Sequence, residues 1–399
     1  MIIHQTIKVK IYTNKKQQQL LRQYLGNVRF IWNKLLEIQE ERLKNREKLL
    51  NYYELCKEIT KLRQEFGFLK LSPAQTLQQI AKKLDNSIKQ WRKKQQKFPK
   101  FKKKKNFDGV LIFPQGFRIE GKYLFLPKIR KVKIKDKINK KEKWKEISNN
   151  LKQVWLKEEA TGFYAYLVYE TETKHPPLNQ NKVIGIDVGI RNTITLSNGE
   201  IFKIDKKRIE KIVKKIEKLQ SVIDKKKHIN DLRGIKYSKS LEKVILKQKK
   251  LFEKLRNIKE DYYHKVTAYI VKSHDYIGVE NLNLNEFHIK EIKDDKKVNK
   301  RFHKLLNFTS LSKFFEKLEH KAKFYGKVLV KVNPKNTSKI CSNCGFINEN
   351  LRDEEVFKCP NCGFKINRDV NASINILKRT IELMTAGTQR DKGAEMVVV

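Results

Sequence analysis

The chain has 399 residues, enough for two or three domains at roughly 150 residues each. Lys and Arg number 90 against 44 Asp and Glu, a formal net charge of +46. That excess excludes a cation or a basic surface as the main partner and points to a polyanion, either nucleic acid or an anionic membrane. Hydrophobic residues reach 39%, which excludes a disordered basic tail.

No run of 18 consecutive apolar residues occurs, and MIIHQTIKVKIYTNKK lacks a signal-peptide core. A secreted or membrane-spanning protein is therefore not expected, and the location reads as cytoplasmic. Of five cysteines, four fall in two CxxC pairs near the C-terminus. In a cytosolic protein such pairs read as metal ligation, not as a disulfide framework. The fifth, Cys56, reads as a small buried hydrophobe.

In chain order, residues 6–12 (TIKVKIY) alternate and predict a strand. Leu21, Leu25, Val28, Trp32 and Leu35 recur at helical steps. Another helix is expected from SPAQ, with Ser72 as N-cap, Pro73 in the first turn and Gln75 completing a capping box. Pro99 ends it. From about 110 to 170 the pattern turns to short strands (VLIF, FRI, KYLFL, KVKIK, KQVWLK, FYAYLVYE), which suggests a small barrel. The first strand is expected to join that barrel, with the helices inserted, and 172–181 reads as a linker.

A second domain begins near 182. KVIGIDVG, NTITLS and EIFKI predict three successive antiparallel strands, the last two joined at Asn198-Gly199. Two long amphipathic helices follow, broken near Gly234. Then come a strand (YIGVEN), a helix of about 309–324 stopped at Gly326, a strand (KVLVKV) and a last helix bearing Val370, Ile374, Leu377 and Ile381. The tail, 385–399, is expected to be disordered.

Three constellations carry chemistry. Cys341/Cys344 and Cys359/Cys362, with 14 residues between the pairs, have the spacing of two zinc knuckles. Four thiolates leave no open position, so the zinc would be structural. The second constellation is acidic. Asp187 ends one strand, Glu280 ends another, and Asp369 opens the last helix. Singly, each has an ordinary reading as a turn cap, an exposed strand end or a helix-dipole partner. Jointly, the element order is that of an RNase H-like fold, in which the first and fourth strands are neighbours. Three converging carboxylates would need cations, and two Mg²⁺ ions would satisfy them, as in phosphodiester hydrolysis. The third is the basic surface. Arg92–Lys105, Lys128–Lys145 and Lys290–Arg301 are Lys-rich and carry Phe98, Phe101 and Trp144, with Trp91 and Phe302 at their flanks. Aromatic and cationic groups together suit stacking and phosphate contact.

These residues resemble the TnpB family, encoded by certain bacterial and archaeal insertion sequences and related to type V CRISPR nucleases. The likeness runs through GIDVG, GVENLNL, KFYG, NTSKICSNCG, CPNCG and NRDVNASINI in order, with a looser match at VRFIWN and FPKFK. Asn367 departs from the family, whose members often carry Asp before the last acid. The resemblance implies a multidomain α+β and α/β protein. A wedge-like β-barrel (1–12 and 106–175) would hold an inserted helical recognition domain (13–105). A RuvC-like nuclease domain (181–336 and 365–384) would hold an inserted zinc ribbon (337–364).

The resemblance further implies an RNA-guided DNA endonuclease. Its guide RNA would derive from the element end, and it would cut double-stranded DNA beside a short motif. Asp187 and Asp369 would bind Mg²⁺ and Glu280 would complete the site. Residues 282–305 resemble a loop over that site. A nucleoid-associated prokaryotic protein is implied, with its oligomeric state open. A nuclease-inactive RNA-guided repressor, a CRISPR-associated type V effector and a strand-transferring transposase are the alternatives.

Overall fold

The computed structural model describes residues 2–104, 107, 109–135, 141–173, 175–189, 194–235, 238–281, 311–352, 354–385 and 395–397. The Lys290–Arg301 run, Phe302 and the whole of the 282–305 loop lie outside the described residues. The chain divides into two compact units, Met1–Glu172 and Thr173–Val399.

In the first unit a strand, β1 (Ile2–Tyr12), leads into α1 (Lys15–Lys44), α2 (Tyr52–Glu65) and α3 (Ala74–Arg92). Strands β2 (Val110–Phe113), β3 (Arg118–Glu120), β4 (Tyr123–Leu126) and β5 (Arg130–Ile134) follow. Helix α4 (Lys141–Asn149) then precedes β6 (Leu151–Glu159) and β7 (Gly162–Glu172). The strands expected of the barrel form one antiparallel sheet of order β2-β6-β7-β1-β5-β4-β3, so β1 does join strands more than a hundred residues away. Alternation decides which face is buried: in β7, Phe163, Ala165, Leu167 and Tyr169 point inward. The helices share that core through Leu21, Val28, Leu35, Leu55, Leu77 and Leu84. Cys56 packs against the same core, as its apolar reading predicts.

Three local details differ from expectation. Ser72 is not the cap of α3, whose N-cap is Pro73 without a side-chain bond. The Ser72 hydroxyl instead accepts from buried Asn27 Nδ2 at 2.9 Å. Part of the basic run Lys128–Lys145 is the amphipathic helix α4, and its Trp144 packs on the core. Phe98 likewise stands edge-on to Trp91, whereas Phe101 is exposed.

The second unit has the strands β8 (Val183–Asp187), β9 (Ile194–Leu196), β10 (Ile201–Phe202), β11 (Tyr276–Glu280) and β12 (Val328–Val332). Its helices are α5 (Lys206–Leu232), α6 (Lys239–Ser273), α7 (Leu311–Tyr325) and α8 (Arg368–Thr385). A two-stranded ribbon, β13 (Val356–Lys358) and β14 (Lys365–Asn367), precedes α8. The main sheet has the order β10-β9-β8-β11-β12-β15. Here β15 (Glu395–Val397) is an antiparallel edge strand drawn from the tail expected to be disordered. As expected, β8 and β11 are direct neighbours, and they run parallel.

Alternation splits the sheet's two faces. Ile184, Ile186, Ile277 and Val279 pack with α6 and α7 through Tyr263, Val266, Phe314 and Leu318. The other face carries Val328, Val330 and Val332 against Ile376 of α8. Helices α5 and α6 form the expected hairpin. Its one polar register position, Gln248, is buried, and its amide donates to Ile216 O and Gln220 Oε1 across the pair.

Candidate active site and metal centre

The thiol site is built by two copies of one turn. Gly345 N–H donates to Cys341 O at 2.9 Å and Cys341 N–H to Phe346 O at 2.8 Å. Gly363 to Cys359 O (3.0 Å) and Cys359 to Phe364 O (2.9 Å) repeat the pattern. Each turn closes on a glycine of positive φ, 78° and 69°, a conformation that other residues rarely adopt. The four sulfurs all lie within 4.8 Å of one another, the one such group of three or more His, Cys, Asp or Glu among the described residues. The amides cross over: Asn343 donates to Cys362 Sγ and Asn361 to Cys344 Sγ, both at 3.7 Å.

The Phe346 backbone N–H, with help from Asn361, draws the Cys344 thiol down to about 6, while burial pushes Cys341 up to about 11. Four soft donors converging on one point fit a structural zinc ion, held by Cys341, Cys344, Cys359 and Cys362.

The acidic site begins with two parallel strands. Their last paired residues are Ile186 and Val279, and the next residue of each is an acid, Asp187 and Glu280. By alternation both share the face of Gly185 and Gly278, the face on which α8 lies. A Cβ on Gly185 would sit 2.2 Å from Ser373 O, and one on Gly278 would sit 1.9 Å from Thr380 Oγ1. The helix therefore rests on bare backbone there. Its N-terminus carries Asp369, and Asn367 caps that end by accepting from the N–H of Asp369 (3.0 Å) and Val370 (3.2 Å). The departure from the family pattern at Asn367 thus supplies a helix cap.

All three acids are half-buried, and the charges of Glu280 and Asp369 both act on Asp187. Burial, then the charges of Glu280 and Asp369, push the Asp187 carboxyl well above the usual range, against Arg368 and the Val188 N–H. Burial also raises Glu280, opposed by a bond from Thr337 and by the Arg379 charge. The carboxylates are less tightly gathered than the thiols. A hard, all-oxygen donor set with excess negative charge fits Mg²⁺.

Several residues that organise this site were missed in the sequence. Thr337 donates its hydroxyl to Glu280 Oε1. Asn371 donates to Ile340 O (2.7 Å) and accepts from Ser342 N–H (2.9 Å). Asn375 donates to Thr337 O (2.9 Å) and Ile340 O (2.7 Å). Lys378 reaches Ser342 O, and Arg379 reaches Asn333 O and Lys335 O. The available signal was a pair of asparagines four apart inside a helix, where asparagine is otherwise disfavoured.

Residues 166–289 match a family model described as a probable transposase of IS605 OrfB type. Residues 312–376 match a Cas12f1-like TNB domain. Residues 1–48 match a model described as a helix-turn-helix domain, although here they form β1 and the single long helix α1.

A protein of Escherichia coli (strain K12) named "Putative RNA-guided DNA endonuclease InsQ" is 27% identical over 98% of this chain and 95% of its own length. The CRISPR-associated endodeoxyribonuclease Cas12f1 of Sulfoacidibacillus thermotolerans is 27% identical over 56% of this chain and 52% of its own. TnpB-like protein L79 of Acanthamoeba polyphaga mimivirus is 31% identical over 55% of this chain, which spans 41% of that relative. In fold, the chain is similar to the protein in a Cas12f1–sgRNA–target DNA complex. The TM-score is 0.59, with 15% identity, over 94% of this chain and 98% of that one. No described helix is long and apolar enough to cross a membrane. The order of its motifs and the near-full-length match make this chain similar to the TnpB-type proteins of IS605 elements, and its fold is similar to that of the Cas12f1 protein.

Proposed function

We propose that the chain is an RNA-guided DNA endonuclease whose RuvC-like domain hydrolyses phosphodiester bonds at Asp187, Glu280 and Asp369. The observation that carries this reading is geometric: Asp187 and Glu280 follow the last paired residues of adjacent parallel strands beneath the helix that opens with Asp369, and the charges of Glu280 and Asp369 both raise the Asp187 carboxyl. Residues so perturbed at the ends of adjacent strands are functional-site candidates. Asp187 and Asp369 would hold Mg²⁺, and Glu280 would complete the site and orient the attacking water. When bound there, the metal supplies the charge that activates a water and stabilises a leaving oxygen.

In this reading the seven-stranded sheet is the wedge-like barrel, and α1–α3 form the recognition part. The surplus of 46 positive charges holds the guide RNA and the target duplex through their phosphates. The guide would come from the element end, and the structural zinc would shape the ribbon beside the acids.

The test combines two measurements. RNA that co-purifies with the protein should be one species with a constant scaffold and a variable end. Loaded with that RNA, the wild type should cut a matched duplex in Mg²⁺, and Asp187→Ala should lose cutting by a factor of a thousand or more (about 4 kcal/mol of barrier) while keeping RNA affinity. Random cellular RNA, or cutting unchanged in Asp187→Ala, would overturn the reading. The transposase description of the matched family model favours a second reading, strand transfer by the same acids. Joined rather than free DNA ends would identify it.

A further inference from the structure

We propose that Thr337 is a positioning residue for Glu280, so that the root of the zinc ribbon is built into the acid site. The inference rests on the nuclease reading above and goes beyond it by assigning a part to a residue outside the acid trio.

Thr337 is 4% exposed, and its hydroxyl donates to Glu280 Oε1 while lying 3.2 Å from Pro334 O. The residue is fixed from behind. Its carbonyl accepts from Asn375 Nδ2, itself 5% exposed, and the same amide holds Ile340 O. Arg379 grips Asn333 O and Lys335 O on the same stretch. Asn375 and Arg379 both stand on α8, the helix that opens with Asp369.

Residues 333–340 therefore form a bracket bolted to the helix of one acid and hydrogen-bonded to a second. One residue further on, Cys341 begins the thiol site. A carboxylate on a flexible side chain would otherwise sample several orientations. A donor on one oxygen fixes the orientation of the group and of the remaining lone pairs.

The experiment compares full-length wild type, Thr337→Val, Thr337→Ala and Thr337→Ser. Each is assayed in two ways: Mn²⁺ binding to the RNA-free chain by electron paramagnetic resonance, and target cleavage by the guide-loaded protein across Mg²⁺ concentrations. Zinc content and guide affinity are measured in parallel and should be unchanged.

Thr337→Val keeps the shape and removes the donor. It should weaken Mn²⁺ binding about tenfold, the usual size of an outer-shell loss, and raise the Mg²⁺ needed for half-maximal cutting in step. Thr337→Ala adds no bulk and should do the same even if the valine variant does not fold. Thr337→Ser should restore both quantities. Wild-type metal dependence in Val and Ala would overturn the proposal, as would a serine variant as impaired as valine. A wild type that binds guide and target but never cuts, with Mn²⁺ binding still weakened in Thr337→Val, would sink the nuclease reading and leave the positioning role standing.

Discussion

Gly185 and Gly278 are register partners in the parallel pair β8/β11, and both lie directly beneath α8. A Cβ at Gly185 would press on backbone, 2.2 Å from Ser373 O and 2.4 Å from Leu377 N. A Cβ at Gly278 would meet the Thr380 side chain. Gly185→Ala should therefore destabilise by about 3 kcal/mol or more, and Gly278→Ala by roughly 1–3. Adding Thr380→Ala should recover part of the Gly278→Ala loss and none of the Gly185→Ala loss. Denaturant unfolding of the four variants measures this, and equal rescue of both glycine variants would disprove the packing argument.

The thiol site should bind one zinc per chain, measured by elemental analysis of the purified protein. Cys359→Ser should abolish binding and lower the melting temperature. Asn343→Ala together with Asn361→Ala should leave the zinc in place but weaken it about tenfold against a competing chelator, because the crossed amides orient the thiolates. A double variant with wild-type affinity would assign the amides no part.

Asp187 makes the stability of the folded chain depend on pH. Burial and the neighbouring acids raise its carboxyl well above the usual range in the folded chain. Between the ordinary carboxylate value and that raised value, the folded state binds more protons than the unfolded state, so stability falls as pH rises through the window. In magnesium-free buffer Asp187→Asn should flatten this slope and melt higher than wild type at neutral pH. Added Mg²⁺ should raise the wild-type melting temperature more than that of the variant. Parallel pH slopes in the two proteins would contradict the coupling.

At the opposite end of the same strands, Lys327 and Asp275 form a buried ion pair, 8% and 5% exposed, and Asn179 N–H also donates to Asp275 Oδ2 at 2.7 Å. Removing one partner of such a pair strands a buried charge. Lys327→Ala should cost about 3–5 kcal/mol, read by denaturant unfolding, and Asp275→Asn in that background should recover some of it. A loss under about 1 kcal/mol would show that water reaches the pair.

The positions of the four cysteines and three acids were legible because each sits where a local pattern ends. VIGID and YIGVE are apolar runs closing on an acid, NRDVN opens an amphipathic helix, and the CxxC spacing is local chemistry. What supports them was not legible, since Thr337 meets Glu280 across 57 residues and Asn375 meets Thr337 across 38. Helix α4 was hidden because KKEKWKEISNN reads first as charge. The true cap of α1, Asn14 with Gln17 at N3, is a capping box lacking the Ser or Thr that usually signals one. The helices of 13–105 and the strands around them read as separate domains, yet the apolar stripes of α1 and α3 bury into the sheet's inward face as one core.

The swapped amides of the ribbon have a further meaning. Each half-motif lends its asparagine to a sulfur of the other half, so neither half is complete alone. Ion capture and closure of the two CxxC turns on each other should then collapse into a single all-or-none event. The segment joining β12 to α8 would behave as a latch, either shut around its ion or open, with no stable position between.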